Sequence, residues 1–81
     1  MPVKLYALST CPYCRMTRRY LDENDVEYDL TEVDLLEGQD KDDAVAEVKR
    51  ISGGASFPVV VVDDEVIVGF NKARIKELLS L

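Results

Sequence analysis

Cys11-Pro12-Tyr13-Cys14 is the stretch that decides the fold of this chain, and it contains the only two cysteines among 81 residues. It stands where an apolar strand pattern, Val3 to Leu8, gives way to a helical pattern. A C-x-x-C pair at such a turn in a small chain of alternating strands and helices is typical of a thiol–disulfide redox centre. Cys11 would cap the helix, where free backbone N–H groups and the positive end of the dipole stabilise a thiolate. Cys14 would lie one turn further in, close enough to attack a mixed disulfide formed on Cys11.

The apolar periodicity on either side predicts the remaining elements. The helix after Cys11 places Met16, Tyr20 and Leu21 on one face. A second strand carries Val26, Tyr28 and Leu30, with Val33 as its outer limit. The elements expected after it are a loop from Leu35 to Gln39, a helix from about Asp40 to Ser52, a hairpin of Val59–Val62 and Val66–Val68, and a last helix capped by Asn71.

The resulting order, β-α-β-α-β-β-α, predicts an α/β fold. Two strands separated by a helix lie parallel through a right-handed crossover, and the hairpin adds an antiparallel pair. We therefore expect a single domain over residues 1–81, with a four-stranded mixed sheet and helices on both faces.

Charge is distributed unevenly along the chain, whose net charge is −6. Residues 1–21 contain four bases and no acid, whereas residues 22–47 carry twelve acids against one base. This balance argues against a nucleic-acid partner. The acidic run is interpreted as a solvated surface, or alternatively as a docking surface for a basic partner.

Targeting signals and membrane segments are not expected. The longest apolar run, Phe57 to Val62, is far too short to span a membrane. The N-terminal residues lack the features of a signal peptide. We therefore expect a monomeric protein in the reducing cytoplasm, where paired cysteines are more often catalytic than structural.

The motifs together resemble those of the glutaredoxins, which have the thioredoxin fold. The resemblance rests on Ser9 to Cys14, on Ser56-Phe57-Pro58 before a strand, and on Gly69-Phe70 before the last helix. It implies that Cys11 is the catalytic nucleophile and Cys14 the resolving thiol. It also implies a cis Pro58 that faces the pair and fixes the Phe57 backbone for pairing with an extended substrate.

The same resemblance implies a substrate groove and a reaction. The residues expected to line the groove are Pro12, Tyr13, Phe57, Pro58, Gly69 and Phe70. The implied activity is reduction of protein disulfides or glutathione mixed disulfides without a bound cofactor or metal. Electrons would come from glutathione or from an enzyme like thioredoxin reductase.

Two departures from the glutaredoxin pattern concern glutathione. Leu8 stands where these proteins have a lysine, three residues before the first cysteine. After the last strand they have two glycines and then an acidic residue, which clamp the glutamyl end of glutathione, whereas this chain has Gly69-Phe70-Asn71-Lys72. Gly69-Phe70 is similar instead to the redoxins that serve ribonucleotide reductase. The resemblance leaves Gln39 and Arg50 as residues that could reach a glutathione carboxylate.

A metal carrier is the alternative from a different functional class. The chain has no histidine and only two cysteines, so one chain cannot form a closed four-ligand zinc site. An iron–sulfur cluster bridging two chains, or a Cu(I) site on Cys11 and Cys14, remains open.

Two residues near the cysteines have alternative interpretations. Tyr13 is either a wall of the groove or an exposed aromatic, and Arg15 either aids thiolate formation or is a solvated charge.

Overall fold

The computed structural model describes residues 3–54 and 56–81. Their order confirms the predicted succession of strands and helices. The elements are β1 (Val3–Ala7), α1 (Pro12–Glu23), β2 (Asp29–Glu32), a short 3-10 helix (Val33–Leu35), α2 (Gly38–Ser52), β3 (Val59–Val62), β4 (Glu65–Val68) and α3 (Lys72–Leu79). None of the helices in these two ranges is long and apolar enough to cross a membrane.

The four strands form one mixed sheet in the order β2-β1-β3-β4. β1 pairs with β2 in parallel and with β3 in antiparallel, and β3 pairs with β4 in antiparallel. Asp63 and Asp64 form the two-residue turn of the β3–β4 hairpin, and Asp63 adopts a left-handed φ of 53°. The predicted topology is confirmed, and it places β1, which leads directly to Cys11, in the centre of the sheet.

Helices cover both faces of the sheet, as predicted. On one face, Leu5 of β1 belongs to a buried cluster with Leu21 of α1 and Ile75 of α3. On the other face, Tyr6 belongs to a second cluster with Val48 of α2. Because successive strand residues point to opposite faces, β1 contributes to both clusters. Because β1 is paired on both sides and buried on both faces, it holds the start of α1, which follows it closely in the chain, in a fixed position.

Two helix ends have well-formed caps, of which the one at Asn71 was predicted. Asn71 caps α3, since its side-chain oxygen accepts a hydrogen bond of 3.1 Å from the Arg74 backbone N–H. Gly53 ends α2 with a left-handed φ of 78°, a conformation that glycine adopts without steric cost. The Asn71 cap therefore fixes the point at which α3 begins after β4.

The prediction for the buried face of α1 was wrong at Met16. The helix buries Cys14, Thr17 and Leu21, whereas 47% of Met16 is exposed. Residues three and seven positions apart share a helix face, and Met16, two positions after Cys14, lies on the opposite side. The apolar character of Met16 therefore does not belong to the core.

Several predicted boundaries also differ from the structure, and β4 begins at Glu65 rather than at Val66. The second strand is shorter than expected, and Val33 begins the 3-10 helix, where it is buried against the α2 side of the sheet. α2 begins at Gly38 rather than near Asp40. The apolar pattern marks Val33 as buried but does not distinguish a strand end from a tight turn.

Candidate redox site

The Cys11–Cys14 loop has the geometry expected of a helix cap. Cys11 is the N-cap of α1, and its Sγ accepts a hydrogen bond of 3.3 Å from the Cys14 backbone N–H. Pro12 occupies the first turn, where the amide proton that it lacks would have no partner in the helix. Both cysteines are free thiols. The two sulfur atoms therefore lie at the same helix terminus and close together.

The two thiols differ in their access to solvent. Cys11 is partly exposed, whereas only 1% of Cys14 is exposed. Burial raises the pKa of Cys14 to about 12, with a smaller contribution from its hydrogen bond with Cys11. The Leu8 backbone N–H, 3.5 Å from Cys14 Sγ, acts in the opposite direction. At neutral pH Cys14 is therefore a neutral thiol, and Cys11 is the sulfur that an incoming disulfide can reach.

The predicted cis peptide bond is present between Phe57 and Pro58. Pro58 is buried, and its carbonyl oxygen accepts a hydrogen bond of 2.7 Å from the Gly69 backbone N–H. Gly69 adopts a φ of 81°, in the left-handed region that favours glycine. This hydrogen bond joins the start of β3 to the segment that leads into α3.

Aromatic side chains pack against the core on the face of the sheet that α1 and α3 cover. Phe57 and Phe70 are both partly buried against the cluster that contains Cys14 and Leu21. The Tyr20 and Phe70 rings pack edge to face, with centroids 6.3 Å apart. Tyr13 is 62% exposed and lies on the same side of α1 as Tyr20. Tyr13, Tyr20, Phe57 and Phe70 are called the aromatic rim below.

The charged side chains around the dithiol have different surroundings. Arg18 forms a 3.0 Å ion pair with Glu32 at the end of β2, while Arg15 is exposed. Lys72, the first residue of α3, places its Nζ 5.2 Å from the centroid of the Tyr20 ring. A cation over an aromatic face at this distance is attracted by the ring quadrupole. Lys72 therefore brings a positive charge to the aromatic rim, an arrangement that the sequence alone did not indicate.

Sequence reasoning also missed a contact that involves Asp34. Its carboxylate oxygens accept hydrogen bonds from the backbone N–H and the hydroxyl of Ser9, two residues before Cys11. In the sequence Asp34 is one of twelve acids in a run that indicates a solvated surface or a docking surface. The available signal was its position directly after β2, since β2 and β1 are parallel and end at the same edge of the sheet.

Two residues considered for glutathione binding contact their own helix instead. Gln39 donates a hydrogen bond of 2.8 Å to Asp43, and Arg50 forms an ion pair with Glu47. Arg50 also lines a cavity of about 440 Å³ together with Lys4. Lys4 pairs with Val61 near the start of β1, at the end of that strand away from Cys11. The cavity is thus separate from the dithiol.

No group of three or more potential metal ligands of the His, Cys, Asp or Glu type occurs within residues 3–54 and 56–81.

Sequence and structure comparisons agree with this geometry. The family model for glutaredoxin matches residues 3–67. A glutaredoxin-like 8.6 kDa protein from the rubredoxin operon of Clostridium pasteurianum is 34% identical over 79 residues, which cover 96% of this chain and 97% of that protein. The chain belongs to the glutaredoxin family.

Two solved structures extend the comparison to three dimensions. Methanoredoxin from Methanosarcina acetivorans superposes with a TM-score of 0.93 and 37% identity, over 99% of this chain and 85% of that one. A glutaredoxin from Archaeoglobus fulgidus superposes with a TM-score of 0.91 and 39% identity, over 95% and 84% of the two chains. The thioredoxin fold predicted for this redox protein is thereby confirmed.

Proposed function

We propose that the protein is a dithiol oxidoreductase that reduces disulfide-containing proteins through Cys11 and Cys14. The observation that carries the proposal is the difference between the two thiols. Cys11 is partly exposed at the start of α1, whereas Cys14 is buried beside it and held as a neutral thiol. One sulfur is placed for attack on a substrate, and the other can act only on what is bound to its neighbour.

The reaction proceeds in two exchanges. The Cys11 thiolate attacks one sulfur of the substrate disulfide, a Cys11–substrate bond forms, and the second substrate sulfur leaves as a thiolate. Cys14 then loses its proton and attacks Cys11 Sγ, which expels the first substrate sulfur and forms the Cys11–Cys14 disulfide. The substrate gains two electrons and the protein loses two, so a reductant must restore the dithiol.

The aromatic rim and the Pro58 segment supply the proposed binding surface. Phe57 precedes buried Pro58, whose carbonyl is already paired with Gly69. An extended substrate segment would pair with the Phe57 backbone as an added strand, with Pro12, Tyr13 and Phe70 along its side. Such a surface would bind unfolded or extended protein segments. The reaction would take place in a reducing compartment such as the cytoplasm.

A flavoprotein reductase is the electron donor that this chain favours over glutathione. Glutathione carries two carboxylates and an ammonium group, and a good site must meet both ends. The first turn of α3 contains no acid, and Lys72 there would repel the ammonium group. Gln39 and Arg50 are engaged within α2, and Leu8 provides no cation near Cys11. A reductase that recognises the aromatic rim needs none of these groups.

Replacement of each cysteine tests the dithiol function. Cys11→Ser abolishes reduction of a protein disulfide, because Cys14 is buried. Cys14→Ser retains the first attack and accumulates a covalent complex with the substrate. The reverse pattern would mean that Cys14 is the nucleophile and Cys11 the resolving thiol. Visible colour in freshly purified protein would instead favour the alternative function, in which two chains share an iron–sulfur cluster.

The donor is tested by offering the oxidised protein glutathione and thioredoxin reductase in parallel. We expect reduction of the Cys11–Cys14 disulfide by the reductase to be the faster. Rapid reduction at millimolar glutathione with no response to the reductase would contradict this part of the proposal.

A further inference from the structure

The carboxylate of Asp34 holds the loop that precedes Cys11. One oxygen accepts a hydrogen bond of 2.8 Å from the Ser9 backbone N–H, and the other accepts one from the Ser9 hydroxyl. These bonds lower the pKa of Asp34, with the hydroxyl as the largest cause. Asp34 is therefore ionised at neutral pH and fixes Ser9 through two charge-assisted contacts.

Leu8, the neighbour of Ser9, contacts both redox cysteines through its backbone. Its N–H donates to Cys14 Sγ at 3.5 Å, and its carbonyl oxygen accepts from the Cys11 N–H at 3.2 Å. Within the described residues, the Leu8 N–H is the only donor to Cys14 Sγ from outside the Cys11–Cys14 turn. Asp34 binds Ser9, the next residue along the chain, and so acts directly beside this donor.

We propose that Asp34 is a positioning residue for the resolving step, in which it holds Leu8, through Ser9, so that the Leu8 N–H faces Cys14 Sγ. This inference rests on the dithiol function proposed above. In the resolving step Cys14 loses its proton, and the N–H dipole stabilises the developing thiolate. In the first step the charge is on Cys11, which the Cys14 N–H and the start of α1 stabilise instead.

The charge and the geometry of Asp34 act on Cys14 in opposite directions. The negative charge raises the pKa of Cys14, whereas the Leu8 N–H that Asp34 positions lowers it. Asp34→Asn removes the charge, keeps an oxygen for the Ser9 N–H, and offers an amide N–H to the hydroxyl. Asp34→Ala removes the charge and both hydrogen bonds to Ser9. The two substitutions therefore separate positioning from charge.

A coloured probe resolves the two steps in one experiment. Reduced protein is mixed with one equivalent of dithiobis(nitrobenzoate), whose released thiolate absorbs visible light. Attack by Cys11 cleaves the probe disulfide, releases the first nitrothiobenzoate and leaves the second on Cys11. Attack by Cys14 on Cys11 Sγ then releases the second and forms the Cys11–Cys14 disulfide. The two phases report the nucleophilic and the resolving steps.

We expect Asp34→Ala to slow the second phase relative to the first by up to about fivefold, the factor that one ordinary hydrogen bond contributes, because loss of the negative charge, the smallest of the effects on the pKa of Cys14, offsets only part of it. Asp34→Asn should restore the second phase to the wild-type rate or exceed it. Asp22→Ala is the matched control, because Asp22 also accepts a hydrogen bond from a hydroxyl, that of Tyr28 at 2.9 Å, but lies about two helical turns beyond Cys14 along α1. Its two phases should keep their wild-type ratio.

Several results would overturn the inference. They are an unchanged ratio of phases in Asp34→Ala, an equal slowing of both phases, or an Asp34→Asn protein as slow as Asp34→Ala. If Asp34→Ala does not fold, Ser9→Ala removes only the hydroxyl contact, and it should slow the second phase in the same direction by a smaller factor. An unchanged second phase in Ser9→Ala would then contradict the inference.

The outcome also separates this inference from the proposed function. A wild-type protein that releases a single equivalent of the coloured thiolate contradicts the dithiol function and the inference together. Release of two equivalents, with phases that Asp34→Ala does not alter, contradicts the inference alone.

Discussion

Replacement of Lys72 by Asp should lower the KM of the protein for glutathione. Lys72 is the first residue of α3, and its Nζ lies 5.2 Å from the centroid of the Tyr20 ring, which itself packs against Phe70. The glutaredoxin pattern, by resemblance, has an acid near this position, where it would meet the ammonium group of glutathione. Lys72→Asp therefore removes a repulsion and supplies a partner at the same place.

The expected gain follows from the exposure of the site. A charge-assisted hydrogen bond contributes about 1.5–3 kcal/mol. Lys72 is exposed, so solvent screening favours the low end of that range. Since about 1.4 kcal/mol corresponds to a factor of ten, we expect about a tenfold lower KM for glutathione. The stability of the folded protein should change little in this variant. Loss of the cation–π contact lowers the free energy of unfolding by about 0.5–1 kcal/mol, and an acid in the first turn of a helix raises it by about 0.3–1 kcal/mol.

The assay is steady-state reduction of a small disulfide at varied glutathione concentration. Lys76→Asp is the matched control, because Lys76 is an exposed lysine one turn further along α3 and its replacement changes the net charge equally. Equal KM values in the two variants would refute the argument for Lys72. A wild-type protein that saturates with glutathione as readily as Lys72→Asp would refute it as well.

Three further predictions follow from the geometry of the site and its surroundings. Gly69→Ala should lower the free energy of unfolding by about 1–2 kcal/mol in denaturant titration, because φ is 81° while the added methyl meets no neighbour; unchanged stability would show that the turn relaxes freely. Cys14 should be alkylated much more slowly than Cys11 in the folded protein at pH 8, because burial excludes the reagent and raises the pKa of its thiol; equal rates of alkylation at the two cysteines, measured by peptide mass spectrometry, would contradict this prediction. Arg18→Ala should cost less than about 1 kcal/mol, because its ion pair with Glu32 is partly exposed, and should leave both phases of probe release unchanged; a slowed first phase would indicate that this cation acts on Cys11.

Strong local patterns made much of the fold predictable from the sequence. The alternation around Leu5, the valine run from Val59 and the caps at Cys11 and Asn71 each indicate one kind of element. These signals agree with one another, so the order of strands and helices and the mixed sheet followed directly. The cysteine spacing predicted a redox centre in the same way, whereas the cis Phe57–Pro58 bond was expected only from the resemblance to the glutaredoxins.

Contacts between distant residues could not be predicted in this way. The Asp34–Ser9 pair joins positions 25 residues apart in an acidic segment that lacks any periodic signal. The placement of Lys72 over Tyr20 depends on how α3 lies against α1, which no local pattern specifies. Met16 is predicted to share a face with Tyr20 and Leu21 because apolar residues recur there at helical spacing, but the buried face of α1 is set by Cys14, Thr17 and Leu21.

Single-turnover mass spectrometry tests the central claim most directly. Reduced protein is mixed with a disulfide-linked peptide, quenched with acid at successive times, and analysed for the site of each modification. The account predicts a transient peptide adduct on Cys11, followed by a Cys11–Cys14 disulfide and release of both peptide thiols. In Cys14→Ser the adduct on Cys11 should persist. A first adduct on Cys14, or complete reduction of the peptide without a Cys11–Cys14 disulfide, would contradict the account.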